Sequence, residues 1–224
     1  QRCYVEETDV NYWTDSIVKT DIKVLAVDEE RSAAGVRVAL GDILVRSQAT
    51  KFKKLKFHTN ENVGYGDIAL PADEMHTRAC ALVFDPATAP GRAYGALSEA
   101  ERAAVMVGLG ALLSTVAPVF LLCDPRDLGV SERTRDPHFD RPCLFFFDRY
   151  PGGIGLSEGF ARDLERVLAA AADHVAHCAC TAGCPSCVGA PDEQSPFNAK
   201  DLAARFLEGW IAGAGAGPDG RPHA

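Results

Sequence analysis

Polar and apolar positions alternate through the first part of the chain. Asp21 to Val27 reads DIKVLAV, and Gly35 to Leu40 reads GVRVAL, with Val36, Val38 and Leu40 on one face. Alternation with period two marks a strand buried on one side. Gly41-Asp42 is expected to turn the chain before ILVRSQ continues it. Lys51 to His58 (KFKKLKFH) and Thr77 to Phe84 (TRACALVF) read as further strands. Asn60, Asn62, Gly64, Gly66 and Pro71 punctuate the stretch between them as turns. No helical period is read before residue 95.

The pattern then changes to alternating helix and strand. Ser98 and Glu101 form an S-x-x-E capping box ahead of an apolar helix expected to end near Pro118, with VFLLC as a buried strand or short helix beyond it. Residues 124–142, rich in Asp, Arg and Pro, read as a long surface loop. Leu144 to Phe147 is a continuous apolar strand, and the glycine-rich PGGIG opens a helix from about Leu156 to His177. A last amphipathic helix, capped by Asn198, carries Leu202, Phe206, Leu207, Trp210 and Ile211. The expected fold is α+β: an antiparallel β-rich part over 1–92, then an α/β part with a four-cysteine zinc loop over 93–213. Residues 214–224 form an expected disordered tail.

Composition narrows the class. Over 224 residues, 47% hydrophobic and 24% charged are the proportions of an ordinary globular protein. A formal net charge of −8 provides no overall field toward nucleic acid, so any such contact must be local. The apolar run from Ala103 to Cys123 carries Gly108, Gly110, Ser114, Thr115 and Pro118, which fits a buried helix better than a membrane span. The chain opens on Gln1 with no charged-then-apolar leader, so a piece of a longer polypeptide is expected. Of eight cysteines, Cys3, Cys80, Cys123 and Cys143 are scattered, unlike the even studding of a small secreted disulfide scaffold. A cytoplasmic protein with four idle thiols and one metal cluster is the expectation, with no membrane partner.

That cluster is Cys178, Cys180, Cys184 and Cys187 in CACTAGCPSC, spaced C-x-C-x3-C-x2-C. Pairs one to four residues apart converge on one point without help from the rest of the fold. Four thiolates around Zn²⁺ close a tetrahedron and leave no open position, the structural type of site. Two disulfides or four free thiols form the other reading, although Cys178 and Cys180 are too close for comfortable bridge geometry. The spacing alone also admits an iron–sulfur cluster. His174 and His177, one turn apart, read as a solvated helix face.

Two further segments could meet nucleic acid. In LFFFDRYPGGIGLSEGF, a strand, a glycine turn and a helix N-terminus could offer the amides of Gly152 and Gly153 to a phosphate. The alternative is a tight crossover that needs small residues, with Asp148 as a cap, an arginine partner or an acid. The basic strand carries Lys51, Lys53, Lys54 and Lys56, with Phe52 or Phe57 available for base stacking. A solvated edge strand guarded by lysines is the plainer reading. No G-x4-G-K-[ST], no H-E-x-x-H and no deaminase pattern occurs, so the chain by itself is not expected to be an enzyme.

Three segments in order, DVNYWTDSIVKTDIKVL, FFDRYPGGIGLSEGF and CACTAGCPSCVG, resemble the C-terminal zinc-binding domain of the mitomycin repair factor A helicases over about residues 3–210. Related domains occur in fungal RecQ-like helicases and in a phage-defence protein. The resemblance implies that Cys178, Cys180, Cys184 and Cys187 bind zinc. It also implies a preceding superfamily 2 ATP-dependent motor of two RecA-like lobes on the same polypeptide, 3′-to-5′ helicase activity in DNA repair, and a role beside single-stranded DNA. The alternative it implies is a protein–protein module of a phage-defence complex with no direct DNA role.

Overall fold

The computed structural model describes residues 4–191 and 195–215. Cys3, and the expected tail beyond Gly215, lie outside them. Among the described residues, six strands and five α-helices follow in the order β1 (Tyr12–Ala33), β2 (Val36–Lys56), β3 (Asn62–Asp67), β4 (Asp73–Val83), α1 (Ala89–Gly95), α2 (Glu99–Leu121), β5 (Leu128–Arg133), β6 (Cys143–Asp148), α3 (Leu156–Arg162), α4 (Leu164–His177) and α5 (Ala199–Gly215). The fold is α+β. The chain forms two compact units, one from Gln1–Ile22 and Val45–Met75, the other from Lys23–Leu44 and His76–Ala224. The division between these units runs through β1 and β2.

In the larger unit the strand order is β1-β2-β4-β6-β5. β6 is an inner strand, antiparallel to both neighbours, pairing Ala81 with Phe145 on one side and Ser131 with Phe145 on the other. Alternate strand residues Val36, Val38, Leu40, Cys80, Leu82, Leu144 and Phe146 enter one core with α2, α4 and α5. Every residue of β6 is buried, because Phe139 from the loop before it covers the opposite face at Phe145, with ring centroids 6.4 Å apart. That two-sided burial is why CLFFF reads as a continuous apolar run. Trp210, fully buried on α5, donates its indole N–H to the Ala34 carbonyl at 2.6 Å in the β1–β2 turn.

Several sequence expectations change. Gly41-Asp42 is no turn: β2 runs straight through, and a Cβ at Gly41 would lie 2.0 Å from the Ala26 carbonyl oxygen. The glycine lets β1 approach closely. α1 forms before residue 95, capped by Thr88 with Pro90 in its first turn. Ser98 and Glu101 do make the reciprocal capping box of α2. However, the helix passes Pro118 and absorbs Val119 to Leu121 before Leu122 ends it in the left-handed region. By length and composition α2 could cross a membrane, yet Leu109, Leu112 and Leu113 are wholly buried in the core. The supposed loop 124–142 contains β5, and the helix after PGGIG breaks at Asp163 into α3 and α4.

The smaller unit is three-stranded. The outer lengths of β1 and β2 pair, as the Phe57 amide bonded to the Asn11 carbonyl at 3.1 Å records. β3 lies along the other side of β2, Lys53 opposite Tyr65 and Lys51 opposite Asp67. Lys51 to Lys56 is therefore a middle strand and not the lysine-guarded edge. β3 itself occupies the stretch read as turns, and Asn62 and Gly64 are part of it.

Candidate metal centre

The four sulfurs meet at the end of α4. Cys178 leaves the helix in an extended conformation, and Gly183, at φ 129, curls the loop where a Cβ would press on the Gly189 carbonyl oxygen at 2.8 Å. Cys178 Sγ lies 3.5 Å from Cys180 Sγ and 3.6 Å from Cys184 Sγ, and Cys187 Sγ lies 3.5 Å and 3.6 Å from those of Cys180 and Cys184. All four sulfurs fall within 4.8 Å of one another. Zinc–sulfur bonds of about 2.3 Å at tetrahedral angles set sulfurs about 3.8 Å apart, so the set fits one ion. A multi-iron cluster spreads its four thiolates over two or four irons and needs a wider cage. All four cysteines carry free thiols rather than disulfides, which removes the bridged reading.

The loop is tied down from outside. Lys200, on the first turn of α5, donates its ammonium to the carbonyls of Cys178 at 2.7 Å and Cys180 at 2.8 Å. Asn198 donates its amide N–H to the Thr181 carbonyl at 2.8 Å. His174 Nε2 lies 2.6 Å from the Ser186 carbonyl oxygen, so it fastens the loop to α4 rather than facing solvent, while His177 contacts Asp173 on its own helix. Sequence reasoning missed Lys200 and His174 as supports. A lysine in the first turn of a helix opposes the helix dipole, and that anomaly was the available signal.

The Cys180 amide hydrogen-bonded to Cys178 Sγ lowers that thiol to about 7, whereas burial pushes Cys187 up to about 12. A bound cation is what ionises such a set together. Cys178, Cys180, Cys184 and Cys187 would hold zinc through four thiolates, leaving the site dianionic beside the Lys200 ammonium. No coordination position remains for substrate, so the ion supplies cross-linking and no reaction step. Among the remaining cysteines, Cys80 and Cys143 are buried, and burial raises both thiols.

The glycine turn is already filled by an internal anion. Asp148, wholly buried, accepts the Ile154 and Leu156 amides on Oδ2 at 2.6 and 3.1 Å and the Ser157 amide on Oδ1 at 2.8 Å. Gly152 donates to the His76 carbonyl at 2.8 Å and Gly153 to the Tyr150 carbonyl at 3.0 Å. Both glycines have positive φ, and a Cβ at Gly153 would strike Arg78 Cγ at 2.4 Å. Their amides therefore serve the crossover. Asp148 acts as the cap of α3, one of the roles its position allowed.

The lysines of the basic strand are engaged locally but half-exposed. Lys53 stands 4.0 Å from Asp15, Lys56 2.8 Å from Glu61, and Lys54 caps the Tyr12 ring at 5.1 Å; Lys51 is exposed. Phe52 lies flat over Gly66, where a Cβ would meet its ring at 2.3 Å, so of the two phenylalanines only Phe57 projects into solvent.

Residues 109–188 match the model of the MrfA Zn-binding domain family. The chain is 34% identical over 208 residues to the ATP-dependent helicase YprA of Bacillus subtilis (strain 168), covering 93% of this chain and 27% of that protein. It is 30% identical over 100 residues to protein MJ1572.1 of Methanocaldococcus jannaschii, covering 43% of this chain and 83% of that protein. A crystal structure of the DUF1998 helicase MrfA bound to DNA superposes with a TM-score of 0.67 at 33% identity, covering 90% of this chain and 26% of that one. A further crystal structure of the DUF1998 helicase MrfA gives a TM-score of 0.59 at 28% identity, covering 87% of this chain and 24% of that one. The chain spans about a quarter of the length of these helicases.

Proposed function

The chain belongs to the MrfA Zn-binding domain family, and from that premise we propose that it is the zinc-clamped accessory domain of an ATP-dependent 3′-to-5′ DNA helicase acting in DNA repair. The observation that carries this reading is the closed tetrahedral four-sulfur set, in a chain similar over nearly its whole length to part of a DNA-bound helicase. Such a site holds shape and performs no chemistry, as befits a part that guides a strand while a motor elsewhere on the polypeptide hydrolyses ATP. Zinc fixes the end of α4, and Asp148 fixes the start of α3. Lys51, Lys53, Lys54 and Lys56 on β2 then stand as the contact for single-stranded DNA, whose phosphates neither the acidic chain as a whole nor the occupied glycine turn attracts.

The test is photo-cross-linking of the full helicase polypeptide to a 3′-tailed duplex during ATP hydrolysis. Cross-links within Lys51–Lys56 are expected. Strand displacement without any cross-link to this chain would reject the guiding role and leave a protein–protein module.

A further inference from the structure

We propose that one face of the smaller unit, carrying Trp13, Phe57 and Tyr65 around Lys51 and Lys53, is a stacking platform for a single nucleic-acid strand. This rests on the DNA-guiding role above and names the surface and the interaction that perform it. The face follows from the ladder. Lys53 is opposite Tyr65, Lys53 pairs with Asp15 at 4.0 Å, and the Phe57 amide meets the Asn11 carbonyl. Alternation then puts Trp13 and Asp15 of β1 and Tyr65 of β3 on the side of Lys51, Lys53 and Leu55, and Phe57 follows in the turn after β2.

The three aromatic rings are the reason to invoke a ligand. Trp13 is 42% exposed, Phe57 48% and Tyr65 63%. Strand aromatics ordinarily lie under something, as Phe52 lies on Gly66 and Tyr12 under Lys54 on the opposite face of this same sheet. Every base has a π face to stack on such rings, and lysines at alternate strand positions can follow the phosphates. A protein partner fits less well, since lysine is depleted from the cores of protein interfaces. Asp15 and Asp67 share the face and offset Lys53 and Lys51. Stacking therefore carries the binding, with weak base preference and a shallow salt dependence compared with a basic groove.

Trp13 also provides the measurement. The chain has two tryptophans, and the other, Trp210, is wholly buried, so red-shifted emission reports Trp13 alone. Titration of the full chain with oligo(dT) at low salt is expected to quench that emission. Trp13→Ala and Tyr65→Ala are each expected to weaken oligo(dT) binding, read by anisotropy of a labelled strand, about five- to 150-fold. Trp13→Phe should keep most of the affinity while removing the quench. Retained zinc and Trp210 emission confirm that each variant is folded. Binding by anisotropy with Trp13 unquenched and affinities unchanged in both alanine variants would overturn this face while leaving the guiding role intact. No binding to the chain, together with no cross-link in the full helicase, would overturn both.

Discussion

The Lys200 ammonium donates to the Cys178 carbonyl at 2.7 Å and also reaches that of Cys180, joining α5 to the zinc loop at its first two ligands. It aligns the backbone that presents both sulfurs and sets a positive charge beside a dianionic site. Lys200→Met keeps the apolar stem and removes the charge. Outer-shell partners of a metal set commonly contribute ten- to a hundredfold in affinity, so zinc should dissociate about ten times more readily in competition with a chromophoric chelator. An unchanged competition curve would show that Lys200 only packs.

Elemental analysis of the purified chain is expected to give one zinc per molecule and no iron. Cys184→Ser removes a sulfur that lies 3.6 Å from both Cys178 and Cys187, and should release the metal. Because the ligands pack against the main core, metal loss should also lower the thermal midpoint and the solubility. A metal-loaded, equally stable variant contradicts the ligand assignment, and visible absorbance in the wild type contradicts zinc.

Asp148 satisfies three amides at the entrance of α3 with two oxygens and a charge. Asp148→Asn conserves volume but presents one oxygen, and turns an NH₂ toward N–H donors. The cost should be about 2–3 kcal/mol, the penalty of stranding a buried donor, seen as a lower urea midpoint with an unchanged slope. Zinc content should stay the same, since the sulfurs lie at the far end of α4.

The sequence made some of this legible and hid the rest for physical reasons. The cysteine set was visible because its ligands are close in sequence, so local geometry decides the site. The capping box of α2 was visible for the same reason. β3 was hidden because Gly66 makes room for the Phe52 ring rather than for a turn, and β5 because its flanks are polar. The extent of β2 was hidden because the role of Gly41 depends on Ala26, far away in sequence. Lys200 showed in the sequence only as a lysine misplaced in the first turn of α5, and its partner Cys178 did not show, since nothing local couples the two.

Glu132 sets a pH dependence. Its side chain is half-buried on β5 against Gly110 of α2, and burial raises its carboxyl above the ordinary value of 4.5. A raised carboxyl favours the folded state while it is protonated. That contribution is full below 4.5 and is lost as pH climbs through the folded value. Above its folded value Glu132 is an ionised, poorly hydrated carboxylate in the native chain. Glu132→Gln should raise the urea midpoint there, by an advantage that shrinks as pH falls toward the ordinary value of 4.5. Taking the difference between variants at each pH cancels any zinc loss common to both. An advantage that did not vary with pH would assign the effect to packing instead.

Gly41 and Gly209 separate close approach from backbone entropy. Replacing glycine by alanine within regular structure ordinarily gains about 0.5–1 kcal/mol, because the unfolded chain has less freedom to lose. On α5, a Cβ at Gly209 meets nothing within 4 Å, so Gly209→Ala should show that gain as a higher thermal midpoint. In β2, a Cβ at Gly41 would lie 2.0 Å from the Ala26 carbonyl oxygen and 2.9 Å from Val27 Cα. Those are backbone atoms, so relief requires moving one strand away from the other. Such overpacking costs about 1–3 kcal/mol, occasionally more, which outweighs the entropic gain. Gly41→Ala should therefore destabilise while Gly209→Ala stabilises, both read from urea midpoints of the zinc-loaded chain. If both variants shifted upward, β1 and β2 would not be in close contact at this point, and the uninterrupted course of β2 through Gly41-Asp42 would lose its explanation.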